Sequence, residues 1–207
     1  MHVIHRNSEK TIRRTIIILS GVIIFIINRC YSLGNLVSLF GYVATLASIF
    51  WLIWNYYIWR WPIVQKLCCV PDLNGRWEGY YRRFGEDSDH QKHTYILEIK
   101  QTYSTIHCST FQDNGTSSAA VLAEVTVQPD ERTGILFSWS GTRQPTEACT
   151  ALKEENSAFH GTTNLIYSPA ANERAAELSG EYFTDGKTKG EVYVQYVGEK
   201  LLKRFEK

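Results

Sequence analysis

Chemistry in this chain has to come from a short list of side chains. His90 and His93, in Asp-His-Gln-Lys-His, have a spacing that could share a metal ion. Their neighbours Glu86, Asp87 and Asp89 read as a solvated loop instead of the remaining ligands, so no metal site is assigned. His107 and His160 stand alone. The five cysteines, Cys30, Cys68, Cys69, Cys108 and Cys149, show no Cys-x-x-Cys spacing and leave one over in any pairing, which fits a reducing compartment without a disulfide framework. Cys68 and Cys69 lie beside a predicted membrane edge, where some hosts acylate cysteine. Phosphate-binding loops, nucleophile elbows and dinucleotide fingerprints are absent from the sequence. No catalytic residue or cofactor is assigned, and an enzyme is not expected.

The elements that would carry any site come from two different materials. Between Thr15 and Trp59 the one Asp, Glu, Lys or Arg is Arg29, whereas residues 72–207 hold nearly all the charge. Residues 1–71 carry seven Lys and Arg against Glu9; the remainder carries 15 against 20. An acidic second part lacks the clustered cations that long DNA or RNA requires, so neither is an expected partner.

The apolar part reads as a transmembrane helical hairpin, 15–59, after a basic N-terminus, 1–14. Its first span, Thr15–Ile27, is short for a hydrocarbon core of about 30 Å, and extends to Tyr31 with Arg29 snorkelling. A turn at Ser32–Asn35 follows, then an uncharged second span, 36–59, ending in an aromatic belt from Trp51 to Trp61. A signal peptide is rejected because no small-x-small cleavage site follows the first span. Arg6, Lys10, Arg13 and Arg14 before the hairpin, and Arg60 and Lys66 after it, place both termini in the cytoplasm. Asn114-Gly115-Thr116 is then a hairpin turn and not a glycosylation site. Gly34, Ser38, Gly41, Ala44, Thr45 and Ser48 form a small-residue face for helix packing, within the hairpin or between subunits.

A linker, 60–71, leads to the second part, 72–207, where the hydrophobic period becomes two. Eight strands are predicted, at 75–83, 93–101, 105–112, 117–128, 134–141, 158–168, 176–184 and 189–198; only 142–157 could hold a short helix. Eight short strands without alternating helices make an antiparallel sandwich or an up-and-down β-barrel, and a barrel removes open edges beside a membrane. Parity puts Trp77, Gly79, Tyr81 and Arg83 on one inner face, with Tyr95, Leu97, Ile99, Leu178, Gly180, Tyr182, Val192, Val194 and Tyr196. Glycines and hydroxyls inside a barrel mean either room for a pocket or bends that let it close.

Two N-terminal spans, a short linker, the opening Pro-Asp-Leu-Asn-Gly-Arg-Trp-Glu-Gly-Tyr-Tyr from Pro71 and the run from Leu178 to Val194 together resemble the two-transmembrane, β-strand-rich membrane effectors of bacterial CBASS antiphage operons. The Gly-x-Trp at Gly75 and Trp77 also opens lipocalin-type barrels, in which the Trp closes one end. The resemblance implies a multi-pass inner-membrane protein whose cytosolic lipocalin-like barrel, residues 72–207, binds a cyclic di- or trinucleotide from a partner nucleotidyltransferase. Binding would drive homo-oligomerisation, and the helices would disrupt membrane lipid and kill the infected cell.

For such a ligand, aromatic planes stack on bases and cations pair with phosphates. Tyr81, Arg83, Tyr95, Trp139, Arg143, Tyr167, Tyr182 and Lys187, near strand ends, supply both and are the expected contacts; Trp77 is expected to be a structural plug. The alternative reading is a membrane-tethered lipocalin-like binder of an apolar metabolite, which requires a barrel lined by aliphatic side chains. A purely structural assembly subunit, binding no small molecule, is the third.

Overall fold

The computed structural model describes residues 21, 36–68, 70–84, 92–113, 116–127, 132–143, 159–171 and 174–205. The expected first span, 15–31, lies outside these residues apart from Gly21, and so does 142–157 apart from two strand residues. The chain divides between Pro71 and Asp72 into two compact units.

In the first unit, helix α1 (Leu36–Tyr56) has no charged residue. Thr45 and Ser48 donate their hydroxyls to the Gly41 and Ala44 carbonyls at 2.9 and 2.8 Å, turning polar groups back into the helix's own backbone. Tyr42, Ile49 and Leu52 are exposed. Among the described residues no helix is long and apolar enough to cross a membrane.

The expected continuous helix to Trp59 is corrected: α1 ends at Tyr56, and a 3-10 turn covers Ile58–Arg60. Pro62 is the cause. The residue before a proline is driven out of the helical region, and Trp61 is extended at φ −66°, ψ 136°. Proline suits a first helical position, so Pro62 opens α2 (Pro62–Cys68) inside what reads in sequence as a plain linker.

The second unit is the barrel: β1 (Gly75–Phe84), β2 (His93–Gln101), β3 (Ile106–Gln112), β4 (Thr116–Val127), β5 (Thr133–Arg143), β6 (Phe159–Ser168), β7 (Glu177–Thr184) and β8 (Lys189–Gly198). Each strand pairs antiparallel with the next, and β1 also pairs with β8, closing the barrel. All eight expected strands are present within two residues of their expected ends. A bulge between Ala120 and Leu122 shifts the register of β4, leaving Val121 and Leu122 both exposed before Ala123 returns to the interior.

One end is filled. Leu73, Trp77, Ile99, Ile106, Ile135 and Leu165 are all at most 1% exposed. Trp77 donates Nε1–H to the Leu73 carbonyl at 3.1 Å and meets Tyr196 and Tyr167 edge-on. Asn74 extends the sheet by exchanging side-chain hydrogen bonds with the Gln101 backbone at 2.6 and 3.0 Å. Gly79 and Gly180 give no room to a pocket: a Cβ on either would strike a carbonyl of the neighbouring strand, Tyr193 or Asn164. They are where the sheet curves.

Outside the barrel, the segment after β8 folds back over β1 and β2. Glu98 accepts hydrogen bonds from the Leu202 and Lys203 amides and from Arg76, and Arg76 donates to the Arg204 carbonyl at 3.2 Å. Arg76 and Glu98 are 3% and 4% exposed. Removing Glu98 leaves Arg76 its ion pair with Glu78 but takes the acceptor from the Leu202 and Lys203 amides, so Glu98→Ala is expected to cost about 1–3 kcal/mol, measured by denaturant unfolding of the full chain in detergent. Glu98→Gln, which keeps an acceptor, should lose less.

Candidate functional site

Opposite the filled end, the barrel holds a cavity of about 210 Å³. In an up-and-down barrel the ends of odd strands and the starts of even strands share one mouth, and this cavity is lined by those positions: Tyr81 and Arg83 on β1, Tyr95 on β2, Thr110 and Gln112 on β3, Thr116 and Ser118 on β4, Trp139 on β5, Phe159 and Thr163 on β6, and Tyr182 and Thr184 on β7. Arg83 and Asp185 are exposed at the rim, while Tyr95, Thr110 and Thr163 are buried.

Two aromatic walls face this space. On one, Tyr81 is edge-on to Tyr95 and Tyr182, with ring centroids 6.1 and 6.0 Å away, and stacks on His93 at 5.0 Å. On the other, Trp139 and Phe159 meet edge-on at 5.5 Å. Glycines let several rings lie against the sheet. Trp139 is paired across the strands with Gly161, Phe159 with Gly141 and Tyr182 with Gly190, and a Cβ on each glycine would run into the opposite ring. At Gly141 the three nearest atoms all belong to the Phe159 ring, so another residue there would tip that ring into the cavity; at Gly161 and Gly190 a carbonyl of the neighbouring strand is in the way as well.

Hydroxyls line the depth of the cup. Thr110 and Ser118 share a hydrogen bond of 2.6 Å, and Trp139 donates Nε1–H to Thr163 Oγ1 at 2.9 Å. The Tyr182 hydroxyl is buried and, among the described residues, meets no partner in hydrogen-bond geometry. Burial raises the pKa values of Tyr81 and Tyr182, and the positive charge of Arg83 pulls both back. Arg83 therefore lies against both phenols. At the rim, Asp185 accepts from the Gly186 and His160 amides at 2.8 and 3.2 Å, fixing the β7–β8 turn to β6.

The structure brings together five of the expected contacts, Tyr81, Arg83, Tyr95, Trp139 and Tyr182. Lys187 is on the same rim turn but is exposed and outside the cavity lining. Arg143 ends β5 opposite Thr116, and its side chain lies outside the described residues. Tyr167 is not brought to this mouth: it lies near the end of an even strand, which places it at the filled end against Trp77. Thr110, Gln112, Thr116, Ser118, Phe159 and Thr163 were not among the expected contacts; strand-end parity is the signal that would have included them. Among the described residues no group of His, Cys, Asp and Glu is placed to hold a metal.

Burial holds the Tyr95 hydroxyl well above the ordinary tyrosine value of 10.0, and the Cys108 thiol above its ordinary 9.0. A group whose folded pKa is raised keeps its proton longer in the native state, so its stabilisation is intact below the ordinary value and lost as pH climbs past it. Unfolding free energy is expected to be level from pH 7 to about 9 and then to fall, by at most about 1.4 kcal/mol per pH unit for each group. Denaturant titrations between pH 7 and 11 test this, with Tyr95→Phe flattening the decline.

A family model described as Cap15, cyclic dinucleotide receptor domain, matches residues 68–195, which include every cavity residue named above. No curated protein matches the chain.

Proposed function

The chain belongs to the family of Cap15 cyclic dinucleotide receptor domains, and from that premise we propose that the aromatic cup of the barrel is where the dinucleotide binds. Membership identifies a CBASS effector with a ligand-binding barrel, in agreement with the resemblance drawn from the sequence. It also favours the cyclic dinucleotide over the trinucleotide. The observation that carries the assignment to the cup is its composition. Flat rings line two walls, hydroxyls lie between them and a guanidinium stands at the rim, which are the groups that stack on a base, bond its edge and pair with a phosphodiester.

The binder of an apolar metabolite is disfavoured by the same surface. Val192 is the one aliphatic side chain among the described cavity residues. Calorimetry of the full chain in detergent against cyclic dinucleotides tests the assignment. Arg83→Ala should weaken binding about 10- to 100-fold, the loss of one charge-assisted contact, without lowering the unfolding temperature. Gly141→Ala should weaken it as well by pushing the Phe159 ring into the cup, since the three atoms nearest a new Cβ all belong to that ring. Unchanged affinity in both variants would remove the cup as the site.

The remainder of the proposal concerns output. Ligand drives homo-oligomerisation of a chain held in the bacterial inner membrane with both termini cytoplasmic. The hairpin then disrupts membrane lipid, with a nucleotidyltransferase as the source of the ligand. An uncharged helix α1 that folds its hydroxyls onto its own carbonyls and exposes large apolar side chains supports this reading. Dye release from liposomes carrying the protein, on addition of a cyclic dinucleotide, is the expected result. Gly41→Arg or Ser48→Arg should abolish release and leave ligand affinity unchanged; release that persists in both variants would exclude this helix as the disrupting element.

A further inference from the structure

Among the described residues the cup encloses less volume than the ligand assigned to it fills. An apolar cavity of about 150 Å³ holds a benzene ring. At about 210 Å³ the cup has room for one nucleobase and part of its sugar, whereas a cyclic dinucleotide carries two bases, two riboses and two phosphodiesters. The ligand cannot sink further, because below Tyr95 and Trp139 the interior is closed by Leu97, Cys108 and Phe137, all at most 2% exposed. Arg83 is the one cation among the described cavity residues, and it can take one phosphodiester.

A cyclic dinucleotide has a two-fold or nearly two-fold axis relating its halves, each with one base and one phosphodiester. A receptor that fits one half therefore fits the other when a second copy approaches along that axis. Two identical cups related by a two-fold make an isologous arrangement, the commonest symmetry of protein dimers. We infer that one cyclic dinucleotide bridges two copies of this chain mouth to mouth. Each barrel takes one base between its aromatic walls, and each Arg83 takes one phosphodiester. The inference rests on the receptor assignment above and adds what completes the site: the second copy. It also supplies the differential affinity that ligand-driven assembly requires, because the ligand meets its full set of contacts only in the pair.

The experiment uses the full chain in detergent micelles and a panel of cyclic dinucleotides built from the four common bases. Calorimetry is expected to give one ligand per two chains. In sedimentation, the protein mass should double as ligand reaches that ratio and return to its starting value in large excess, when every cup holds a ligand of its own. The 5′-mononucleotide of the preferred base should compete for the cup without raising the mass. One ligand per chain, with a mass that excess ligand does not reduce, overturns the bridge and leaves the receptor assignment standing. Absence of binding by every cyclic dinucleotide overturns both.

Discussion

The site depends on a ring lying flat on a glycine. In a closed eight-stranded barrel the inward side chains ordinarily fill the interior, and here five aromatic residues point into one half of it. That half stays open because Trp139, Phe159 and Tyr182 each rest against a glycine directly across the strand pair. Small hydroxyl side chains on β3 and β4 do the rest, since Thr110 and Ser118 occupy inward positions where the other end of the barrel places Ile106 and Val125. Each feature is a choice of small over large, and together they turn a packed cylinder into a cup with rigid walls.

The two halves of the interior have separate tasks. The filled half, organised around Trp77 and Leu73, supplies most of the dry apolar contact and is sealed by Asn74 acting as an extra strand residue. The open half tolerates polar groups because they bond one another, as Trp139 does with Thr163 and Thr110 with Ser118. Tyr182 departs from this economy. Its buried hydroxyl meets no partner in hydrogen-bond geometry among the described residues, yet the positive charge of Arg83 acts on it.

Most of the barrel was legible because period-two alternation and turn residues report directly on strands, and Trp77, Tyr95, Leu97 and Val194 are buried where alternation puts them. What alternation cannot report is which end of the barrel a residue faces. Tyr167 and Tyr182 look equivalent in sequence, each inward and near a strand end, yet they lie at opposite mouths because β6 and β7 run in opposite directions. Counting strand parity would have separated them and brought in Thr116 and Phe159. Gly79 and Gly180, by contrast, give no sequence sign that they serve curvature while Gly141 serves space; the difference is whether backbone or a ring lies opposite. The helix opened by Pro62 was missed because seven residues are too few to display a helical period.

The clasp between Arg76, Glu98 and the segment after β8 bears on how the protein breathes. Segments without regular structure near the end of a chain usually exchange their amide hydrogens within seconds. Leu202 and Lys203 have no such freedom: their amides are spent on a carboxylate that is itself 4% exposed. In deuterated buffer those two protons are released when the segment lets go of Glu98, so a stretch that resembles a loose end is slowed by a carboxylate held in the barrel wall.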